Sequence, residues 1–223
     1  LPRLLTFAIL NNPPPSVLVN ATQRYSDLIF AWGVPTVPSS ADAPSLTRVE
    51  ITVDDADDGF ETLQLGMDES YDLEVPAAAN GTALIRAPSV WGALRALETL
   101  AQMIEFHPPG YVRAPDTQHQ GEDTLAFAPW RVRDAPRFQH RGLMLDTARH
   151  FLRVETLLRQ LDGMAAAKLN VLHWHMTDSS AVPVGSERFP ARASKGAFGP
   201  TMVYSVADMR RVVEYARQRG IRV

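Results

Sequence analysis

Residues 140–151 read His140-Arg141-Gly142-Leu143-Met144-Leu145-Asp146-Thr147-Ala148-Arg149-His150-Phe151, and residues 168–178 read Lys168-Leu169-Asn170-Val171-Leu172-His173-Trp174-His175-Met176-Thr177-Asp178. Each is a short apolar run closed by charged and polar residues, the pattern of a buried strand. The runs at 142–146 and 169–176 are separated by residues 154–168. There Leu157, Leu158, Leu161, Met164 and Ala165 recur at helical spacing and fall on one face. A further helix is expected from the cap Ser205 through Arg219, with Met209, Val212, Val213 and Ala216 inward. Gly220 suits the C′ position, and residues 221–223 open a third strand. Strand, helix, strand, helix, strand predicts parallel βα units. A (β/α)₈ TIM barrel takes about 250 residues, so residues 131–223 are expected to hold its first βα units. A doubly wound sheet is the other candidate, but no glycine-rich phosphate loop follows the first strand, which favours the barrel.

Upstream, the pattern differs. Residues 1–15 end in Asn11-Asn12-Pro13-Pro14-Pro15 and read as an extended lead-in. Residues 16–130 read as an accessory α+β domain. Residues 17–32 have a helix-like pattern, and 34–45 are rich in Pro, Ser and Ala, as in a loop. Strands are expected at 46–53, 70–75 and 82–87, the last two joined by the hairpin signal Asn80-Gly81. Ser89 caps a helix expected over 90–106. The expected result is a small antiparallel sheet with a helix against it. Residues 107–125 suit a linker or a hairpin excursion, and 127–138 are expected to return to the core.

The composition is that of a globular protein: 223 residues, 45% hydrophobic, 21% charged, with a formal net charge of −3. This balance gives no reason to expect nucleic acid or an anionic membrane as a partner. No apolar run reaches the roughly 20 residues of a membrane span. With no cysteine, disulfides and thiolate metal sites are excluded. The sequons Asn20-Ala21-Thr22 and Asn80-Gly81-Thr82 are candidate glycosylation sites. The first residue is Leu1 and no signal-peptide pattern precedes it, so the chain is expected to start after processing or inside a longer reading frame.

In parallel βα units, functional groups gather past the carboxyl ends of the strands. Arg149 and Asp178 emerge there from neighbouring strands. A guanidinium fork and a carboxylate suit a ligand with many hydroxyls. Plainer alternatives stand beside this one. Asp146 and Arg149 could form a structural ion pair, and Asp178 could cap its own loop. His173 and His175 share a strand face and could ligate a metal, although no third ligand is evident. They could equally be buried hydrogen-bonding residues. His140 reads as structural.

These two blocks resemble the first two barrel strands of glycoside hydrolase family 20. Residues 213–223, Val213-Glu214-Tyr215-Ala216-Arg217-Gln218-Arg219-Gly220-Ile221-Arg222-Val223, resemble the approach to the family's third strand. Residues 89–99, Ser89-Val90-Trp91-Gly92-Ala93-Leu94-Arg95-Ala96-Leu97-Glu98-Thr99, are similar to the helix of the N-terminal domain in its eukaryotic lysosomal or secreted members. The resemblance implies a β-N-acetylhexosaminidase that removes terminal β-linked GlcNAc or GalNAc. It implies substrate-assisted retaining catalysis, an exception to the two-carboxylate scheme. It also implies a glycan or chitooligosaccharide as partner, with a homodimer as a further option, lysosomal or secreted localisation, and no metal or organic cofactor. Arg149 matches the family's sugar-binding arginine, and Asp178 matches the carboxylate that orients a histidine. That histidine and the Asp-Glu catalytic pair are expected beyond Val223, and this polypeptide alone is expected to be inactive. Ser179 stands where the family often has a second acid, and residues 181–184, Ala-Val-Pro-Val, lack the aromatics common in relatives. Two alternatives stay open: a non-catalytic glycan-binding relative, and a metal-dependent barrel hydrolase using His173 and His175.

Overall fold

The computed structural model describes residues 5–31, 46–76, 81–106, 123–125 and 129–223. The chain forms two compact units, Leu1–Asp58 with Met67–Arg137, and Gly59–Gly66 with Phe138–Val223.

The first unit contains β1 (Thr6–Ile9), α1 (Ser16–Ile29), β2 (Leu46–Asp55), β3 (Tyr71–Val75), β4 (Gly81–Ser89), α2 (Val90–Met103), β5 (Ile104–Phe106), β6 (Asp123–Leu125) and β7 (Trp130–Asp134). Its main sheet has the order β1-β2-β4-β3-β7. Alternation sets one face of each inner strand into the core: Val49, Ile51 and Val53 on β2, Ala83, Ile85 and Ala87 on β4, Tyr71, Leu73 and Val75 on β3. Helix α2 brings Trp91, Leu94, Leu97 and Leu100 to the core, all buried. Ser89 caps it, accepting from the Gly92 N–H at 3.3 Å and donating to the Asp68 carbonyl. Its charged side chains are paired as well. Arg95 meets Glu69 at 2.7 Å with both side chains buried, and Glu98 accepts from Tyr25 and Gln102.

Five expectations change here. The sheet is mixed: β1 with β2 and β2 with β4 are parallel, and β4–β3 and β3–β7 are antiparallel. Alternation is the same in both cases and does not encode strand direction. The lead-in is more than a lead-in, since Thr6–Ile9 pairs with Arg48 to Ile51. The helix expected to reach residue 106 stops at Met103, because Ile104–Phe106 pairs with β6. The boundary expected at 130 moves to Arg137, because Trp130–Asp134 is the edge strand beside β3. Nor do residues 129–138 return to the core: Trp130 and Phe138 are exposed. Residues 34–45, most of 107–125, and Asn80 lie outside the described residues. Asn20 is exposed on α1.

The second unit contains β8 (Gly142–Asp146), α3 (Val154–Ala166), β9 (Val171–His175), α4 (Pro190–Gly196) and α5 (Val206–Arg217). Strands β8 and β9 are parallel, in the register Gly142↔Val171 through Asp146↔His175. Leu143, Leu145, Leu172 and Trp174 face a core made by Leu157, Leu161 and Met164 of α3, Val212 and Ala216 of α5, and Tyr204. The opposite face carries Met144, His173, Asp146 and His175, and Met144 is 51% exposed. Asn170 ties the strand starts together: its Oδ1 accepts from the Arg141 N–H at 2.9 Å and its Nδ2 donates to the Gln139 carbonyl at 2.8 Å. Its own carbonyl accepts from the Arg222 N–H, and Val171 bridges Arg222 in parallel.

Helix ends follow local chemistry. Ser205 and Asp208 form a reciprocal capping box on α5. Gly220 at φ 67° allows the paired bonds Gly220 N–H to Arg217 and Ile221 N–H to Ala216 that end it. Helix α3 ends the same way on Lys168 at φ 54°. No helix among the described residues is long and apolar enough to cross a membrane.

Gly92 gives a test of the first unit. A Cβ there would sit 2.1 Å from the Ser70 carbonyl oxygen. Helix propensity alone would make Gly92→Ala stabilising by about 1 kcal/mol. The backbone clash reverses the sign, and a net loss of about 1–3 kcal/mol is expected in urea unfolding. A gain in stability would show that α2 does not press on residue 70 as described.

Candidate active site

The carboxyl ends of β8 and β9 lie side by side because Asp146 is the register partner of His175. Past β8, the Asp146 carboxylate turns the chain: its Oδ1 accepts from the Ala148 and Arg149 N–H groups at 3.1 and 3.0 Å. Past β9, Asp178 does the same, accepting from the Ser180 N–H at 2.6 Å and the Ala181 N–H at 3.4 Å. The two turns share one cation. Arg149 Nη1 lies 3.1 Å from Asp146 Oδ2 and Arg149 Nε lies 2.9 Å from Asp178 Oδ2. His175 Nε2 is 3.8 Å from the same Asp178 oxygen.

Arg149 and Asp178 are therefore brought together, and Asp146 joins them. The plainer readings, an Asp146–Arg149 ion pair and a loop-capping Asp178, are true of the geometry as well. The Arg149–Asp178 contact is close enough for an ion pair but is not aligned as a hydrogen bond. Among the described residues, Asp178 Oδ2 and His175 Nε2 are buried atoms without a hydrogen-bond partner. The Arg149 side chain is 63% exposed, whereas that of Asp178 is 12% exposed. The guanidinium thus presents donors outward from a buried carboxylate. The backbone N–H of Ser180, then that of Ala181, then Arg149 and His175, hold the Asp178 carboxyl below its ordinary range, against the opposing effect of burial.

The expected histidine pair does not form the ligand cluster. Among the described residues, the ligand atoms that gather within 4.8 Å belong to Asp146, His175 and Asp178, and His173 is not one of them. Arg149 already bridges both carboxylates, and a cation there would have to displace it.

Two residues behind the site, Thr147 and Tyr204, carry no charge signal and escaped the sequence reading. Thr147, fully buried, donates its hydroxyl to the His175 carbonyl at 3.2 Å and accepts from Trp174 Nε1 at 2.9 Å. Tyr204 is fully buried; its hydroxyl donates to the Leu152 carbonyl and accepts from the Leu152 N–H at 3.3 Å. Tyr204 directly precedes the Ser205 cap, the hydrophobic-staple position, and that was the available clue.

The profile described as glycosyl hydrolase family 20, catalytic domain, matches residues 138–223, and the one described as beta-acetyl hexosaminidase like matches residues 7–103. The chain belongs to glycosyl hydrolase family 20. The family 20 chain is 38% identical over 217 residues to the human beta-hexosaminidase subunit beta, covering 95% of this chain and 35% of that protein. It is 37% identical over 208 residues to beta-hexosaminidase subunit B2 of Dictyostelium discoideum, covering 93% of this chain and 34% of that one. The chain thus spans about a third of the length of the curated relatives it matches. Among solved structures, it is similar to the Flavobacterium johnsoniae chitobiase at TM-score 0.72 and 29% identity, covering 98% of this chain and 30% of that one. The exo beta-N-acetylglucosaminidase of Vibrio harveyi in complex with N-acetylglucosamine matches at TM-score 0.66 and 25% identity, over 96% and 31%. The profile matched from residue 138 begins where the second unit resumes after Arg137.

The depressed Asp178 carboxyl gives a signed prediction. A lowered folded pKa contributes stability above the ordinary carboxylate range, and the contribution is lost as pH falls through the folded value. Asp178→Asn should destabilise the protein at pH 7, and its difference from wild type should shrink as the pH falls below about 4. A difference that stays constant from pH 7 to pH 3 would remove the charge from the account.

Proposed function

We propose that the full-length protein is an exo-β-N-acetylhexosaminidase acting on terminal β-linked GlcNAc or GalNAc of glycans or chitooligosaccharides. The observation that carries this reading is the Arg149 guanidinium, held by Asp146 and Asp178 across two neighbouring strand ends and turned outward. Arg149 holds hydroxyls of the terminal sugar as a planar donor fork. Asp178, kept ionised by its loop N–H groups, orients a histidine. The substrate's own acetamido carbonyl attacks the anomeric carbon while a carboxylic acid protonates the leaving oxygen. That acid, its aspartate partner and the oriented histidine are assigned to no residue of these 223. No metal or organic cofactor takes part.

A (β/α)₈ barrel begun by β8, α3 and β9 belongs to the same proposal. Its support is the one-sided covering of the pair. Helices pack on the face of Leu143, Leu145, Leu172 and Trp174, and the face of Met144 and His173 is open. A barrel wall carries its helices on one face and turns the other inward to its own strands. Lysosomal or secreted localisation, and a homodimer, are expectations of the same reading.

The full-length protein should release 4-nitrophenol from the nitrophenyl β-GlcNAc glycoside; a folded protein without turnover would favour the glycan-binding alternative. Arg149→Ala removes a charged hydrogen bond of about 1.5–3 kcal/mol. Its expected effect is a fall in kcat/KM of about ten- to two-hundred-fold. An unchanged value would take Arg149 out of the sugar site. Turnover should also survive dialysis against a chelator, whereas a loss restored by a transition metal would revive the metal reading at Asp146, His175 and Asp178.

A further inference from the structure

The Arg149 side chain is mostly exposed, and ion pairs of exposed side chains fix geometry weakly. Its position therefore rests on its backbone as well as on the two carboxylates, and that backbone lies between the end of β8 at Asp146 and the start of α3 at Val154. That connection is pinned at three places. Thr147 is bound through its N–H and hydroxyl to the His175 carbonyl. Ala148 and Arg149 are bound by Asp146. Leu152 is held at both its N–H and its carbonyl by one atom, the Tyr204 hydroxyl.

The aromatic group behind the loop links these pins. The Tyr204 ring stacks on Phe151, with centroids 4.7 Å apart, and meets Trp174 edge-on at 4.9 Å. Trp174 in turn donates to Thr147. Tyr204 belongs to the segment before α5, and Gly185 donates to its carbonyl at 2.8 Å while the Tyr204 N–H donates to Pro183. A single buried residue thus joins the loop that follows β8 to the segment that follows β9.

We propose that Tyr204 is a positioning residue: its hydroxyl fixes the loop that presents Arg149 to the sugar. The inference rests on the hexosaminidase reading for its kinetic test and on geometry alone for its structural one. A tyrosine hydroxyl keeps its proton at neutral pH and can donate to Leu152; burial pushes this phenol higher still, against the opposing hydrogen bonds to Thr147 and Leu152. Loss of the hydroxyl leaves both Leu152 backbone groups unpaired while the ring still fills the core.

The test is a double-mutant cycle in the full-length protein on nitrophenyl β-GlcNAc. Tyr204→Phe is expected to lower kcat/KM about tenfold on its own and less than twofold in the Arg149→Ala background, because a residue that acts through Arg149 has nothing left to position. Equal effects in both backgrounds, or no effect in either, would overturn the proposal. Phe151→Leu removes the ring stack and keeps the hydroxyl; it should stay within threefold of wild type, and a loss as large as that of Tyr204→Phe would assign the effect to packing instead. Amide exchange separates the two readings. Tyr204→Phe should speed exchange at Leu152 and leave Val212 unchanged whether or not the protein turns over substrate; unchanged exchange at Leu152 would sink the positioning role. Absent turnover in wild type would count against the hexosaminidase reading alone.

Discussion

The register between β8 and β9 governs the layout of the second unit. Side chains alternate along a strand, so a slip of one residue would send Asp146 or His175 to the helix-covered face and bring a leucine or Trp174 to the other. Asn170 holds the register from the strand starts, because its amide side chain bonds the backbone on either side of His140 while its carbonyl takes the Arg222 N–H. The polar clamp at one end and the polar cluster at the other are consequences of one alignment. The apolar faces between them provide the burial that makes the alignment worth keeping.

Within the cluster, charge and burial are divided. Asp146 and Asp178 each use one oxygen to close a turn through backbone N–H groups and turn the other toward Arg149. A carboxylate held this way is a fixed counter-charge rather than a mobile base. Two such groups around one guanidinium leave its remaining donors directed outward. Holding a neutral polyol needs donors in a fixed fork more than it needs net charge. Behind them Thr147, Trp174 and Tyr204 bring no charge, only directed hydrogen bonds in a packed setting, which suits a part that holds its shape while polar groups in front exchange partners.

What was legible in the sequence was what is local. The apolar runs, the helical face from Leu157 to Met164, the caps Ser89 and Ser205, and the stop at Gly220 each depend on neighbours a few residues away. Arg149 and Asp178 were legible because strand ends collect functional groups. The relation of β2 to β4 was not, since alternation is the same for parallel and antiparallel neighbours. Thr6–Ile9 is short and one strand deep at the sheet edge, and a proline run after it masked its role. Asp146 was read with Arg149 but not with Asp178, because a three-way contact between two loops is a tertiary fact. Tyr204 carries no local signal of its role, because its partner Leu152 is 52 residues away.

The segment Gly59–Gly66 packs with the second unit although it is flanked in sequence by the first. Phe60 lies under the Arg217 guanidinium at 5.4 Å, and Leu63 is buried. During synthesis from the N-terminus these apolar side chains leave the ribosome long before residue 217 exists. Domains generally fold as units in the order they emerge. The strands of the first sheet are all present once Asp134 is made, so that sheet can assemble early, while residues 59–66 wait exposed for their partners. This interval is when Leu63, buried once the unit is folded, is open to a chaperone or a neighbouring nascent chain, whereas Phe60 stays half-exposed afterwards.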